Sequence, residues 1–245
     1  MVLIQEDDGN MAEEEIRNDG AYRKLRFGHC IIYKPNEWYF VHIPKNGGTS
    51  FTASLKREKV QCRIKYNIHF LNCHFNQIHN QADVLMDTFK EKLEGCTPIC
   101  LARNPWARCL SLYIFNVQAA VKPDNIEQQW SEDVHCRLTR EGFKASWMQG
   151  GHFRDDDNMQ NGIEYNPLRT WREDSSQLSW TDEFTKVFKL ETELNEFYEY
   201  IGYPFIKMHR NQSKHHDYRL YYDEELRDEI AKLYAEDIKR FDYTF

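Results

Sequence analysis

The 245-residue sequence contains no run of about 18 consecutive apolar residues, the length that a helix needs to cross a bilayer. Residues 1–20 are acidic and polar, and they lack the basic start and the apolar stretch of a secretory signal. We therefore expect no membrane span and no signal peptide. We expect residues 1–20 to form a flexible acidic tail.

An excess of basic residues is also missing. The chain has 32 Lys and Arg against 39 Asp and Glu, which gives a formal net charge of -7. Because nucleic-acid-binding proteins usually carry a basic face, this balance argues against nucleic acid as a partner. It still permits a local basic pocket that binds a small anion.

The seven cysteines have an odd count and irregular spacing, and they include no Cys-x-x-Cys pair. A disulfide framework or a structural zinc site would need a more regular pattern. We therefore expect reduced, mostly buried thiols, no bound metal and a cytoplasmic location. The Golgi lumen is the alternative, for a chain separated from its membrane anchor.

Short apolar runs alternate with helical patterns, which is typical of an α/β protein with a mainly parallel sheet. The predicted strands are residues 38–43, 98–102 and 184–190, and the predicted helices are residues 49–56, 83–93, 106–117, 191–201 and 223–241. Residues 21–245 are expected to form one domain. Within it, residues 122–180 are expected to form an irregular insertion of short helices and loops.

A glycine loop separates the first predicted strand from its helix, with the sequence Pro-Lys-Asn-Gly-Gly-Thr-Ser at residues 44–50. Glycines let backbone N–H groups approach an anion closely, and the N-terminus of a helix adds the positive end of its dipole. Lys45 adds a mobile charge, and Thr49 or Ser50 is expected to cap the helix. The loop is predicted to bind phosphate; a turn that only caps a helix is the alternative.

In this loop the lysine precedes the glycines, whereas the lysine of a Walker A loop follows the last glycine. No acidic strand end suited to hold Mg²⁺ is apparent in the sequence either. A nucleotide with one phosphate at this point is therefore favoured over a triphosphate with its metal.

A second anion site is predicted after residues 98–102. Arg103 follows that strand directly, at the end where open α/β sheets bind ligands. Ser111 lies about two helical turns further on, with Arg108 between them. An arginine fork with a hydroxyl can hold a phosphate monoester, and an arginine that only braces its helix is the alternative.

Two anion sites suggest a ligand with two separated phosphates. The segments HIPKNGGTSF at 42–51 and RNPWARCLSLY at 103–113 resemble the two cofactor motifs of the PAPS-dependent carbohydrate sulfotransferases. That family includes the heparan sulfate 2-O and chondroitin 4-O enzymes and bacterial and phage relatives. Residues 188–191, 211–213, 221–223 and 237–245 resemble later segments of the family. PAPS is 3′-phosphoadenosine 5′-phosphosulfate, and PAP is what remains after its sulfuryl group has been transferred.

The resemblance implies a P-loop-like sheet and transfer of a sulfuryl group from PAPS to a hydroxyl, with a carbohydrate as the expected acceptor. Lys45 would then neutralise charge on the leaving phosphate, and residues 122–180 would form the acceptor side. Asn46 stands where many members have Thr, and Ala107 stands where an acidic residue is common. The expected cofactor-binding residues are Lys45, Asn46, Gly47, Gly48, Thr49, Ser50, Arg103, Arg108 and Ser111.

A general base must take the proton of the acceptor hydroxyl, and histidine suits this step near neutral pH. The resemblance implies a histidine between the two motifs. His79 is the first choice, since it begins a segment similar to a histidine-bearing helix of bacterial members, and His74 is the second. A P-loop nucleotide kinase and a PAP-binding protein without turnover are the alternatives to a sulfotransferase.

Overall fold

In a computed structural model of this protein, the described residues are 30–73, 80–120, 140–148, 176–204 and 215–245. They fall into two compact units, each described here by itself. The described residues of Met1–Ala102 and Trp180–Asn211 form the first unit, and those of Arg103–Ser179 and Gln212–Phe245 form the second.

The strands are β1 (Cys30–Lys34), β2 (Trp38–Phe40), β3 (His69–Asn72), β4 (Thr97–Ala102) and β5 (Lys186–Lys189). The helices are α1 (Gly48–Arg57), α2 (Lys59–Tyr66), α3 (Ala82–Thr88), α4 (Lys90–Leu93), α5 (Pro105–Ala120), α6 (Arg140–Met148), α7 (Leu194–Ile201), α8 (Glu224–Leu233) and α9 (Ala235–Phe241). Two short 3-10 helices span Gln177–Trp180 and Tyr218–Tyr221.

The first unit contains a five-stranded mixed sheet in the order β3-β1-β2-β4-β5. β2, β4 and β5 are parallel, whereas β1 pairs antiparallel with both β2 and β3. The predicted α/β class is confirmed. The expected mainly parallel sheet is wrong for its β1–β3 side, because a tight turn at residues 35–37 joins β1 to β2 as a hairpin, with Glu37 N donating to Lys34 O at 3.0 Å.

Helices cover both faces of this sheet, as the pleat of its strands requires. Along β2, Trp38 and Phe40 pack with α1 and α7, whereas Tyr39 packs on the opposite face with α3 and α4. Every second residue of a strand thus enters the same hydrophobic cluster. This two-sided burial explains why β2 and β4 have almost continuous apolar sequences.

Several predicted boundaries differ from the observed ones. The helix predicted at residues 83–93 is two helices, α3 and α4, and the one predicted at 223–241 is also two, α8 and α9. The prediction that Thr49 or Ser50 caps the first helix is wrong, because α1 begins at Gly48 with Gly47 as its N-cap. Gly47 can adopt the left-handed conformation found there, with φ 81°, at no steric cost.

The second unit is helical in its described part. Trp106, Leu110 and Tyr113 of α5 pack with Phe143 of α6 and with Leu226 and Ile230 of α8 in one buried cluster. Within the described ranges, no helix is both long and apolar enough to span a bilayer. The prediction of one domain over residues 21–245 stays a prediction, as does the acceptor-side insertion at 122–180, of which only 140–148 and 176–180 are described.

Candidate anion-binding site

The glycine loop begins where β2 ends. Beyond Phe40 the pairing with β4 continues for one more bond, from Val41 N to Ile99 O at 2.8 Å. The chain then turns, with Asn46 N donating to Ile43 O at 3.3 Å, and α1 opens with a bond from Phe51 N to Gly47 O. The loop therefore joins the carboxyl end of a parallel strand to the N-terminus of a helix, where α/β proteins bind ligands.

Two residues of the loop have left-handed backbone conformations, Lys45 with φ 68° and Gly47 with φ 81°. Glycine adopts this conformation freely, whereas for lysine it costs about 1–2 kcal/mol. Such strain persists only when the surrounding structure enforces it, and it occurs preferentially at ligand sites. The half-buried Lys45 is thus held in a backbone conformation that its own side chain disfavours.

Asn46 is the residue that fixes the loop to the sheet. Its side chain is 1% exposed, and its Nδ2 atom donates to the carbonyl oxygen of Leu101 in β4 at 2.7 Å. This bond joins two segments that are far apart in the sequence. The side-chain amide nitrogen therefore points to the sheet, so Asn46 positions the loop.

Gly48 is required by the side chain of His42. A Cβ atom at position 48 would lie 2.2 Å from Cδ2 and 2.3 Å from Nε2 of the His42 ring. That ring is buried, and its centroid lies 6.0 Å from the Phe40 ring. The sequence predicted no role for His42, the first residue of the segment 42–51. The structure shows that its ring packs on Gly48, the first residue of α1.

Thr49 is exposed and Ser50 is half-buried, and both lie in the first turn of α1. The first N–H groups of a helix have no acceptor within it, so this turn offers donors to an anion. Lys56 and Arg57 occupy the last turn, where they complement the dipole. The hydroxyls predicted to bind a cofactor thus follow directly on the glycines.

The distribution of acidic residues sets α1 and α5 apart. Among the nine helices that the structure describes, only α1, α2 and α5 have no Asp or Glu in the first turn. The N-cap of α2 is itself Glu58. In an acidic chain, α1 and α5 are therefore the two described helices whose N-terminal charge is not balanced by a local carboxylate, and they are the helices of the two predicted anion motifs.

In the second unit, Asn104 caps α5. Its Oδ1 atom accepts from the backbone N–H groups of Trp106 at 3.1 Å and Ala107 at 3.4 Å, while its Nδ2 atom donates to Thr244 O at 2.8 Å. Pro105 occupies the first helical position, as predicted. The Asn-Pro pair thus fixes where α5 begins, immediately after Arg103.

The charges of Arg103 and Arg108 both act on one thiol. Burial raises the pKa of Cys109 to about 12, and the positive charges of Arg108 and Arg103 act in the opposite direction. Arg108 is buried, whereas Arg103 and Ser111 are half-buried. Within the second unit, both predicted arginines therefore act electrostatically on the same residue of α5.

Sequence reasoning missed two residues that hold Arg103. Gln177 accepts a hydrogen bond from Arg103 N and donates one to Arg103 O, each at 2.8 Å. Asp237 accepts from Gln177 N at 2.8 Å. No local pattern could reveal these contacts, since about 60–75 residues separate the partners.

His74 and His79, the candidate bases, lie outside the described residues, and their role stays a prediction. Among the residues that are described, no group of three or more His, Cys, Asp or Glu side chains is arranged to hold a metal ion.

Compared with models of known protein families, with curated proteins and with solved structures, the chain shows no significant match in any of the three.

Proposed function

We propose that this chain is a PAPS-dependent sulfotransferase that transfers a sulfuryl group to an acceptor hydroxyl and releases PAP and a sulfate ester. The proposal is carried by the loop at residues 44–48, in which Lys45 and the carboxylate-free N-terminus of α1 follow the end of a parallel strand. Positive charge, backbone donors and glycines in this order suit the phosphosulfate end of the donor nucleotide.

The loop would act as a P-loop-like phosphate site in which the lysine precedes the glycines. The attacking oxygen forms a bond to sulfur while the bond from sulfur to the leaving phosphate oxygen breaks, so that negative charge grows on that oxygen. The Lys45 ammonium group and the N–H groups at residues 47–50 would stabilise this charge. His79, or His74 in its place, would take the proton of the acceptor hydroxyl.

The order of residues in the loop favours PAPS over ATP with Mg²⁺. A Walker A lysine follows the last glycine, but here Gly48 is followed by Thr49. The strand next to β2, which is β4, is followed by Arg103 rather than by a carboxylate. Arginine suits a second phosphate, so the 3′ phosphate would bind at Arg103 and Ser111.

A carbohydrate is the proposed acceptor, on the basis of the family resemblance. The proposed compartment is the cytoplasm, because the six cysteines in the described ranges are all free thiols. Acceptor screening with radiolabelled PAPS would test the class of the acceptor directly, with oligosaccharides, small phenols, lipids and tyrosyl peptides as separate arms.

The general base is tested by substitution. His79→Ala should keep PAP binding and lose sulfuryl transfer; if His74→Ala does so instead, His74 is the base.

The binding step is tested by thermal stabilisation with PAP, AMP and ATP–Mg²⁺ at equal concentrations. We expect PAP to raise the melting temperature most, because it alone carries both the 5′ and the 3′ phosphate. Lys45→Ala should abolish the PAP shift and Arg103→Ala should reduce it to the shift given by AMP, whereas Lys90→Ala, at an exposed lysine of α4, should leave it unchanged. Stabilisation that follows ATP–Mg²⁺ and not PAP would favour the kinase alternative.

A further inference from the structure

We infer that Gln177 and Asp237 are positioning residues for Arg103, and that through it they give this protein its preference for a nucleotide with a 3′ phosphate. The inference rests on the proposed function, since it takes Arg103 as the group that binds that phosphate. Gln177 lies outside the segments that carry the family resemblance, whereas Asp237 is the first residue of the last of them, residues 237–245.

Gln177 holds the backbone of Arg103 on both sides. Its Oε1 atom accepts from Arg103 N and its Nε2 atom donates to Arg103 O, both at 2.8 Å. The side chain of Gln177 is fully buried, so water does not compete for these bonds. Arg103 lies one residue past β4. The Gln177 side-chain amide hydrogen-bonds to the backbone N–H and C=O groups of Arg103, as a neighbouring strand would within a sheet.

Asp237 in turn holds Gln177. It is fully buried in α9, and its carboxylate accepts from Ser176 Oγ at 2.6 Å, Gln177 N at 2.8 Å and Leu178 N at 3.2 Å. A buried carboxylate is stable only when such donors surround it. Asp237 thereby fixes the start of the 3-10 helix Gln177–Trp180 and orients the Gln177 side chain toward Arg103.

The consequence for Arg103 is that its backbone is held in place by hydrogen bonds at both N and O. Asn104, the next residue, is fixed as the cap of α5, so the guanidinium starts from a point that is defined on both sides. An arginine fork binds phosphate well only when its two N–H groups meet the oxygens at the right angle. Loss of the Gln177 contacts should therefore weaken the grip on the phosphate without removing any charge.

The test uses the Kd for AMP divided by the Kd for PAP, both measured by calorimetry on the full chain. A high value of this ratio means a strong preference for PAP. AMP lacks the 3′ phosphate, so the ratio isolates the contribution of that group. In Gln177→Leu we expect the Kd for PAP to rise about tenfold or more, as is usual when a residue supporting a binding side chain is lost, with the Kd for AMP unchanged. Asp237→Asn should show the same change to a smaller extent.

Three further variants serve as comparisons. Arg103→Ala should give the lowest ratio of the Kd for AMP to the Kd for PAP. Arg103→Ala combined with Gln177→Leu should not lower this ratio further, because both changes act through one contact. Gln61→Leu, at an exposed glutamine of α2, is the matched control and should keep the wild-type ratio. If Gln177→Leu does not fold, Gln177→Met replaces it, since methionine has a similar length, carries no charge and loses both hydrogen bonds to Arg103.

A folded Gln177 variant that keeps the wild-type ratio overturns the positioning role and leaves the proposed function intact. A wild-type protein that binds AMP and PAP equally, or an Arg103→Ala variant that keeps the preference, overturns the assignment of the 3′ phosphate to Arg103 and the inference with it. A general loss of stability would lower the melting temperature without changing the ratio, so it cannot be mistaken for the expected result.

Discussion

The imidazole of His42 lies against Gly48 so closely that a methyl group on Gly48 would approach the ring Cδ2 atom to 2.2 Å. The side chain that follows β2 thus fills the space in which any residue larger than glycine would place its Cβ atom at the start of α1. Gly48 owes its identity to this internal contact as well as to any ligand.

Gly48→Ala should destabilise the protein by about 1–3 kcal/mol, because the His42 ring must move from a packed position. The free energy of unfolding is measured by urea denaturation. His42→Ala combined with Gly48→Ala should cost less than the sum of the two single changes, since the clash is then absent. Strict additivity of the two costs would show that the ring and the glycine are not in contact.

Lys45→Gly should be more stable than Lys45→Ala by about 1 kcal/mol, because φ at position 45 is 68° and only glycine adopts it without strain. Both variants should lose stabilisation by PAP, since both lack the charge. The pair Asn67→Gly and Asn67→Ala, at the left-handed C-cap of α2, is the matched control for the backbone effect. That pair should show the same order of stability and keep full PAP binding.

Asn46→Ala should lower the free energy of unfolding by about 1–3 kcal/mol, because it leaves the buried carbonyl of Leu101 without this donor. Asn46→Asp should be worse, since a carboxylate cannot donate to that carbonyl and carries a charge into a buried site. Asn72→Ala, at an exposed position of β3, should cost less than about 0.5 kcal/mol. Equal stability of the Asn46 and Asn72 variants would contradict the anchoring role.

Alkaline pH should destabilise the protein through Cys109. Burial raises the folded-state pKa of this thiol from 9.0 to about 12, so the unfolded chain loses its proton first as the pH rises above 9. The stability contributed by the neutral thiol is complete below pH 9 and falls as the pH rises toward 12. Between pH 7 and 10 the wild type should lose about 1.4 kcal/mol more than Cys109→Ala, as measured by urea unfolding at each pH.

Local sequence patterns were sufficient for the elements that surround the loop. The apolar run at residues 38–43 and the glycines after it predicted β2, the turn and α1 in their observed order, because strand, breaker and helix signals lie next to each other there. The same reasoning missed β1 and β3. These strands are defined by their pairing with each other, from Tyr33 opposite His69 to Cys30 opposite Asn72, which a search for strand-helix units does not reveal.

The contacts that shape the candidate site were not predictable for a related reason. Asn46 was expected to bind a cofactor, which stays a prediction, but the sequence did not show that its amide donates to Leu101 or that the Gln177 side chain reaches the backbone of Arg103. Spacing along a chain shows which side chains share a face of one element, but it does not show which distant carbonyl lacks a donor. Such polar partners follow from the packed fold and become visible only with it.

The hydrogen bond between Asn46 and Leu101 affects both the rate and the entropic cost of anion binding by the loop. The peptide groups that would meet the ligand are already in place, so little chain freedom remains to be lost on binding. Capture should then be limited by diffusion to the site rather than by a slow rearrangement of the loop, and the observed association rate should rise linearly with nucleotide concentration without reaching a plateau.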